Sequence, residues 1–167
     1  MAIRTILHYP DPKLRQKAQP VTQVTPEIQR LIEDMAETMY AAPGVGLAAT
    51  QIGEPHRIFI VDIAAEDEPS NLMVFINPEI VTTDGTQTGA EGCLSFPGVT
   101  EDVKRSANVS VRAVDRNGKP FEIEADGLLA VAVQHELDHL DGVLMIDRVG
   151  MLKKRIIQRK MQKRAEA

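Results

Sequence analysis

The chain has 167 residues, 43% hydrophobic and 26% charged, which suits a globule of one domain spanning residues 1–167. It has no Trp and only 4% aromatic residues, which excludes a stacking platform for single-stranded nucleic acid, and no run reaches the roughly twenty apolar residues of a membrane span. The net charge of −5 divides into +6 over residues 153–167 and −11 over residues 1–152, an acidic body with a basic end, so neither DNA nor a membrane is an expected partner.

The first residues contain too short an apolar stretch for a signal peptide, with no small-residue cleavage site behind it. With Cys93 as the lone cysteine, unable to form an internal disulfide, this points to a cytoplasmic location. Residues 11–21 are turn-rich. Thr25-Pro26 then predicts an N-cap and first helical position, and Ile28, Leu31, Ile32, Met35 and Met39 recur at helical spacing over residues 26–40. Glu33, Asp34 and Glu37 are expected on the opposite, solvent side, and Pro43 and Gly44 end the segment.

Residues 57–63 and 72–81 read as strands rich in Ile, Val and Phe. Residues 107–115 alternate through Val109, Val111 and Ala113, and Asn117-Gly118 turns the chain into a partner strand at 121–124. Asp126 is placed to cap a helix over residues 127–141, with Gly142 as its stop. Ala130, Val133, Leu137 and Leu140 form one apolar face, Leu128, Ala132, His135 and His139 another, and Asp138 and Asp141 are left to solvent. A last basic helix from about residue 148 is expected to dock through Val149, Leu152, Ile156 and Met161. The predicted class is α+β: mostly antiparallel strands around a central helix, with an N-terminal and a C-terminal helix.

The central helix carries His135-Glu136-Leu137-Asp138-His139, an HExxH pentad. Histidines four apart lie about one turn from each other and can reach one ion, while Glu136 is aimed at water on that ion. A catalytic ion takes three protein ligands and keeps a fourth position open. A metzincin pattern would need a histidine where Met145 stands, and a zincin with a downstream glutamate is left with Glu166 in the basic tail. Cys93, in the Gly- and Pro-bracketed segment Glu91-Gly92-Cys93-Leu94-Ser95-Phe96-Pro97-Gly98, is the strongest third ligand. Its competing role is that of a small buried hydrophobe.

Three ordered segments, Gly44-Val45-Gly46-Leu47-Ala48-Ala49-Thr50-Gln51-Ile52-Gly53, Glu91 to Ser95 and Gln134 to Gly142, resemble the signatures of the peptide deformylases, as does Tyr9-Pro10-Asp11-Pro12 with Leu14-Arg15. The resemblance implies a hydrolase that removes the formyl group from N-formylmethionine on new polypeptides and releases formate. It assigns Cys93, His135 and His139 to one divalent ion, ferrous iron in the cell, with nickel, cobalt or zinc able to replace it. It makes Glu136 the proton carrier and gives the oxyanion to the Gln51 side chain and the Leu94 backbone N–H, although Gln51 by itself reads as a surface glutamine. Gly46 is implied to pair with the extended substrate, and Val45, Leu128, Val131 and His135 to receive the methionine side chain. Glu91 and Arg105 resemble a supporting ion pair. Thr100 departs from relatives that carry arginine there. The implied partners are formylmethionyl nascent peptides and, through the basic C-terminal helix, the ribosome; a solvated helix end is the competing reading of that tail. A zincin-like metalloprotease cutting peptide bonds is the alternative enzyme.

Overall fold

The computed structural model describes residues 2–166. Helix α1 runs Pro26–Ala41, started by the Thr25 hydroxyl, which accepts from the Ile28 N–H at 3.2 Å, and by proline in the first turn. Strands β1 (Gly46–Ala48), β2 (Ile58–Val61), β3 (Met73–Asp84), β4 (Gln87–Gly92), β5 (Thr100–Arg105), β6 (Asn108–Val114) and β7 (Pro120–Asp126) precede helix α2 (Gly127–Leu140), and α3 (Met151–Glu166) closes the chain. All strand pairings are antiparallel: five strands in the order β1-β2-β3-β6-β7, and β4-β5 as a separate two-stranded ribbon.

Strand β2 explains how the layers stack. Its four residues are all buried because the five-stranded sheet is covered on both faces. Phe59 and Val61 pack with Phe75, Val111, Val133 and Leu140 on the α2 side, while Ile58 and Ile60 pack with Ile32, Met35 and Met39 of α1 on the other. A third core, built on Leu14, Phe96, Val103, Ile146, Ile157 and Met161, ties α3 to the β4-β5 ribbon. The expected hairpin is present, with Val114 opposite Pro120 across the Asn117-Gly118 turn. Strands β1, β4 and β5 are additions to the expected set. They are short or polar, and their pairing is decided by distant partners rather than by local pattern.

Four expectations need correction. Asp34 does not face solvent; it is buried, accepting from the Ala2 N–H at 2.8 Å and pairing with Arg4 at 2.9 Å. Asp138 is likewise engaged, holding Arg105 at 2.7 Å and Arg148 at 2.8 Å. Asp126 sits at the N-cap of α2 but makes no capping bond through its side chain. Helix α3 docks by Ile157 and Met161, whereas Leu152 and Ile156 lie about 100° to 180° around the helix from them and stay exposed.

Gly142 ends α2 as expected, with φ of +75°, and a Cβ there would lie 2.5 Å from the Arg15 carbonyl oxygen. Gly142→Ala therefore meets both a left-handed backbone and a backbone clash. It should cost about 1–3 kcal/mol or more, read as a lower urea midpoint at unchanged m-value.

Candidate active site

Helix α2 presents His135 and His139 from successive turns, with their Nε2 atoms 3.3 Å apart. The Cys93 sulfur, just past the end of β4, lies 3.3 Å from His139 Nε2, and the three ligand atoms all fall within 4.8 Å of one another. The Cys93 loop is fixed by a turn in which the Phe96 N–H donates to the Cys93 carbonyl at 2.9 Å, and by Phe96 itself, fully buried and stacked on Tyr9.

The donor chemistry fits a divalent cation. His135 Nδ1 lies 3.0 Å from Glu91 Oε1; donating its proton there leaves the Nε2 lone pair free to face the cluster. Burial lowers the pKa of His139, aided by the neighbouring His135, which keeps this ring in the unprotonated form a ligand requires. Soft thiolate and borderline imidazole donors suit iron, zinc, cobalt or nickel better than magnesium or calcium. Met145 is buried in the third core and Glu166 ends α3; neither joins the cluster, which removes both protease-type ligand patterns weighed from sequence.

Glu136 is buried beside the ligands, and its Oε1 has no hydrogen-bond partner among the described residues. Burial pushes its pKa up to about 7 against the pull of His135 and Arg105. Gly46 makes room for it: a Cβ at that position would sit 2.5 Å from Glu136 Oε2. This requirement for glycine was not visible in the sequence, where Gly46 stood out only for close approach to a substrate.

Gln51 is only 1% exposed, so it is no surface glutamine. Its Oε1 accepts from the Ala48 N–H at 2.9 Å, which turns Nε2 toward Ser95 Oγ at 3.1 Å and the Cys93 sulfur at 3.7 Å. Ser95, fully buried, is the polar residue that sequence reasoning passed over; it lay in the quoted segment, but nothing in its neighbours signalled the bond to Gln51. Val45, Gly46, Gln51, Cys93, Leu94 and Glu136 line a cavity of about 280 Å³. Val45 is half exposed at its rim. Leu128, exposed, and Val131, partly buried, do not line it; they lie on α2 at positions seven and four residues before His135.

The family model for polypeptide deformylase matches residues 3–155. The chain belongs to this family. A peptide deformylase from Alkalilimnicola ehrlichii is 55% identical over 163 residues, covering 98% of this chain and 91% of that one. Among solved structures, the peptide deformylase of Legionella pneumophila superposes with a TM-score of 0.92 at 47% identity, covering 99% of this chain and 96% of that one. The Ehrlichia chaffeensis enzyme, solved in complex with actinonin, gives 0.95 at 34% identity over the full length of both. Peptide deformylases are metal-dependent hydrolases that remove the formyl group from the N-terminal methionine of polypeptides, and this chain is one of them.

Behind the deformylase site lies a buried charge network. Arg105 makes two 2.9 Å bonds to Glu91 and one of 2.7 Å to Asp138. Burial alone would raise the Glu91 pKa, but the bonds from Arg105 and His135 outweigh it and hold the carboxyl at about 2. Glu91→Gln keeps the shape but loses the charge that orients His135. Metal retention against a graded chelator should fall about 10- to 100-fold; unchanged retention would remove this positioning role.

Proposed function

We propose that Cys93, His135 and His139 hold one divalent ion, ferrous iron in the cell with nickel, cobalt or zinc as substitutes, in a single catalytic domain of residues 1–167. The observation that carries this is the convergence of three ligand atoms within 4.8 Å, beside Glu136 and Gln51 in one cavity. Bound there, a dication supplies Lewis acidity and lowers the pKa of water enough to provide hydroxide near neutrality.

The remaining work falls to the chain's own groups. The Gly46 backbone pairs with the extended substrate, and Val45, Leu128, Val131 and the His135 ring receive the methionine side chain. Support for this pocket comes from the exposed apolar surfaces of Val45 and Leu128 and from the spacing that sets Leu128, Val131 and His135 on one face of α2. Glu136 takes the proton of the attacking water at its carboxylate and passes it to the departing amine, so the C–N bond breaks with formate and a free amino terminus as products. A carboxyl held near neutrality by burial serves both halves of that transfer. The oxyanion formed on attack is met by Gln51 Nε2 and the Leu94 N–H. Gln51 is pre-aimed by its bond from Ala48, so little reorganisation is required when charge develops.

The assay is formate release from formyl-Met-Ala-Ser by protein purified without oxygen, alongside metal analysis. Gln51→Ala should lower kcat about 100- to 1000-fold with metal content intact, and Glu136→Ala should be metal-loaded and nearly inactive. Full activity in either variant refutes the assigned role.

The partners under this reading are formylmethionyl nascent peptides, encountered in the cytoplasm at the ribosome. No helix among the described residues is long and apolar enough to cross a membrane. Support for ribosome contact comes from α3, whose exposed Arg155, Arg159 and Lys163 flank the exposed Leu152 and Ile156. Removing α3 would also expose the third core by taking away Ile157 and Met161, so charge reversal is the cleaner test. Arg155→Glu with Arg159→Glu and Lys163→Glu should weaken cosedimentation with ribosomes at low salt while formate release from free peptide persists. Unchanged cosedimentation retires the idea.

A further inference from the structure

The pairings of the ribbon stop at Arg105 and those of the five-stranded sheet resume at Asn108, so Ser106 stands between the two ladders. Gln134 of α2 takes the place of a strand beside it. Its Oε1 accepts from the Ser106 N–H at 3.0 Å and its Nε2 donates to the Ser106 carbonyl at 2.9 Å, so one amide satisfies both backbone groups as a paired strand residue would. The second Nε2 proton goes to the Ala130 carbonyl, one turn back at 2.9 Å, which fixes the side chain on its own helix. Gln87, the first residue of β4, adds longer bonds from its Nε2, 3.4 Å to the same Ser106 carbonyl and 3.2 Å to the Gly127 carbonyl at the start of α2.

Both ends of this latch adjoin the site in the chain: Ser106 follows Arg105, and Gln134 precedes His135. Arg105 lies opposite Gln87 in the ribbon but bonds Glu91, four residues further along β4, and Glu91 in turn faces His135 Nδ1 at 3.0 Å. That path from ribbon to helix runs through long side chains with several free torsions. The Gln134 contact grips backbone instead, and two bonds to one residue fix its rotation as well as its distance from α2. Gln134 lines a cavity of about 320 Å³ with Arg105, Ser106 and Asp138, and none of the residues around it lines the catalytic cavity, so its effect on the site is one of placement.

We infer that Gln134 is a positioning residue whose amide seats the β4-β5 ribbon on α2 and thereby sets the separation between Cys93 and the two histidines. The inference rests on the proposed three-ligand site. Cys93 lies six residues beyond Gln87, about 20 Å along an extended strand. Over that lever a rotation of the ribbon by about 1° at the latch moves Cys93 by about 0.3 Å, which already exceeds the roughly 0.2 Å tolerance of a metal–ligand distance. A latch that holds backbone at the far end of the ribbon is therefore needed for the ligand atoms to meet at the other.

The test loads the full chain with cobalt and reads two quantities: the visible absorption, whose thiolate-to-metal and ligand-field bands report the ligand set, and cobalt affinity by competition with a chelator. Gln134→Met keeps the length and loses all three bonds; it should shift the bands and weaken affinity about 10- to 100-fold. Gln134→Glu keeps the acceptor for the Ser106 N–H and loses both donors, so it should move both readouts the same way, and it carries the test if the methionine variant does not fold. Asn77→Ala is the control for stability alone. Asn77, at φ of +52°, bonds the N–H and carbonyl of Val21 at 2.8 Å each and touches none of the latch groups, so its loss should lower the urea midpoint yet leave the bands and the affinity unchanged. Unaltered bands and affinity in the Gln134 variants, or equal shifts in Asn77→Ala, would overturn the inference. Failure of the unmutated protein to bind cobalt through the Cys93 thiolate would instead overturn the three-ligand site beneath it.

Discussion

Glu91 accepts from the Arg105 guanidinium and, at its Oε1, faces the His135 ring, and that shared carboxylate is the constraint from which the active site follows. The ribbon carries Cys93 at its end, and the central helix carries the two histidines. Nothing in the local sequence fixes the distance between them. Arg105, bonded to Glu91 in the ribbon and to Asp138 on the helix, spans the gap and sets it. Buried ion pairs of this kind add little net stability, since desolvation cancels most of the attraction, but removing one partner leaves a charge stranded. Their value here is geometric: they hold the Cys93 sulfur and two imidazole nitrogens within 4.8 Å of one another.

Around that lock the site is arranged in advance. Glu136 sits where only a glycine at position 46 leaves room, so the first strand of the sheet and the central helix approach through a carboxylate and a bare backbone. Gln51, on a short helical turn after that strand, has its amide oriented by the Ala48 N–H and its nitrogen turned to Ser95 and Cys93. The Gln51 amide is thus held by the backbone of Ala48 in advance, which is how a pocket keeps a donor aimed before substrate arrives.

The C-terminal helix belongs to the same economy of contacts. Its inward residues, Ile157 and Met161, join Phe96, which anchors the Cys93 loop, so a helix with an outward basic face is mechanically part of the wall behind Cys93. The basic outer face of this helix and the Cys93 loop are joined through that core.

The sequence by itself determined the parts whose signals are local. Helical spacing gave the inner face of the first helix, alternation and Asn117-Gly118 gave the hairpin, and the HExxH pentad set two imidazoles and a carboxylate on one turn. Resemblance supplied the deformylase reading, which the family comparison bears out. Tertiary structure alone decided that Asp34 is buried and that Asp138 is paired, because periodicity records which positions are apolar and cannot show that a distant Arg4 or Arg105 meets an acid. It also decided the pairing of the polar ribbon strands, the side of the last helix that docks, and the bond from Gln51 to Ser95. Each depends on residues far apart in the chain whose contact is fixed only when the layers close around a common core.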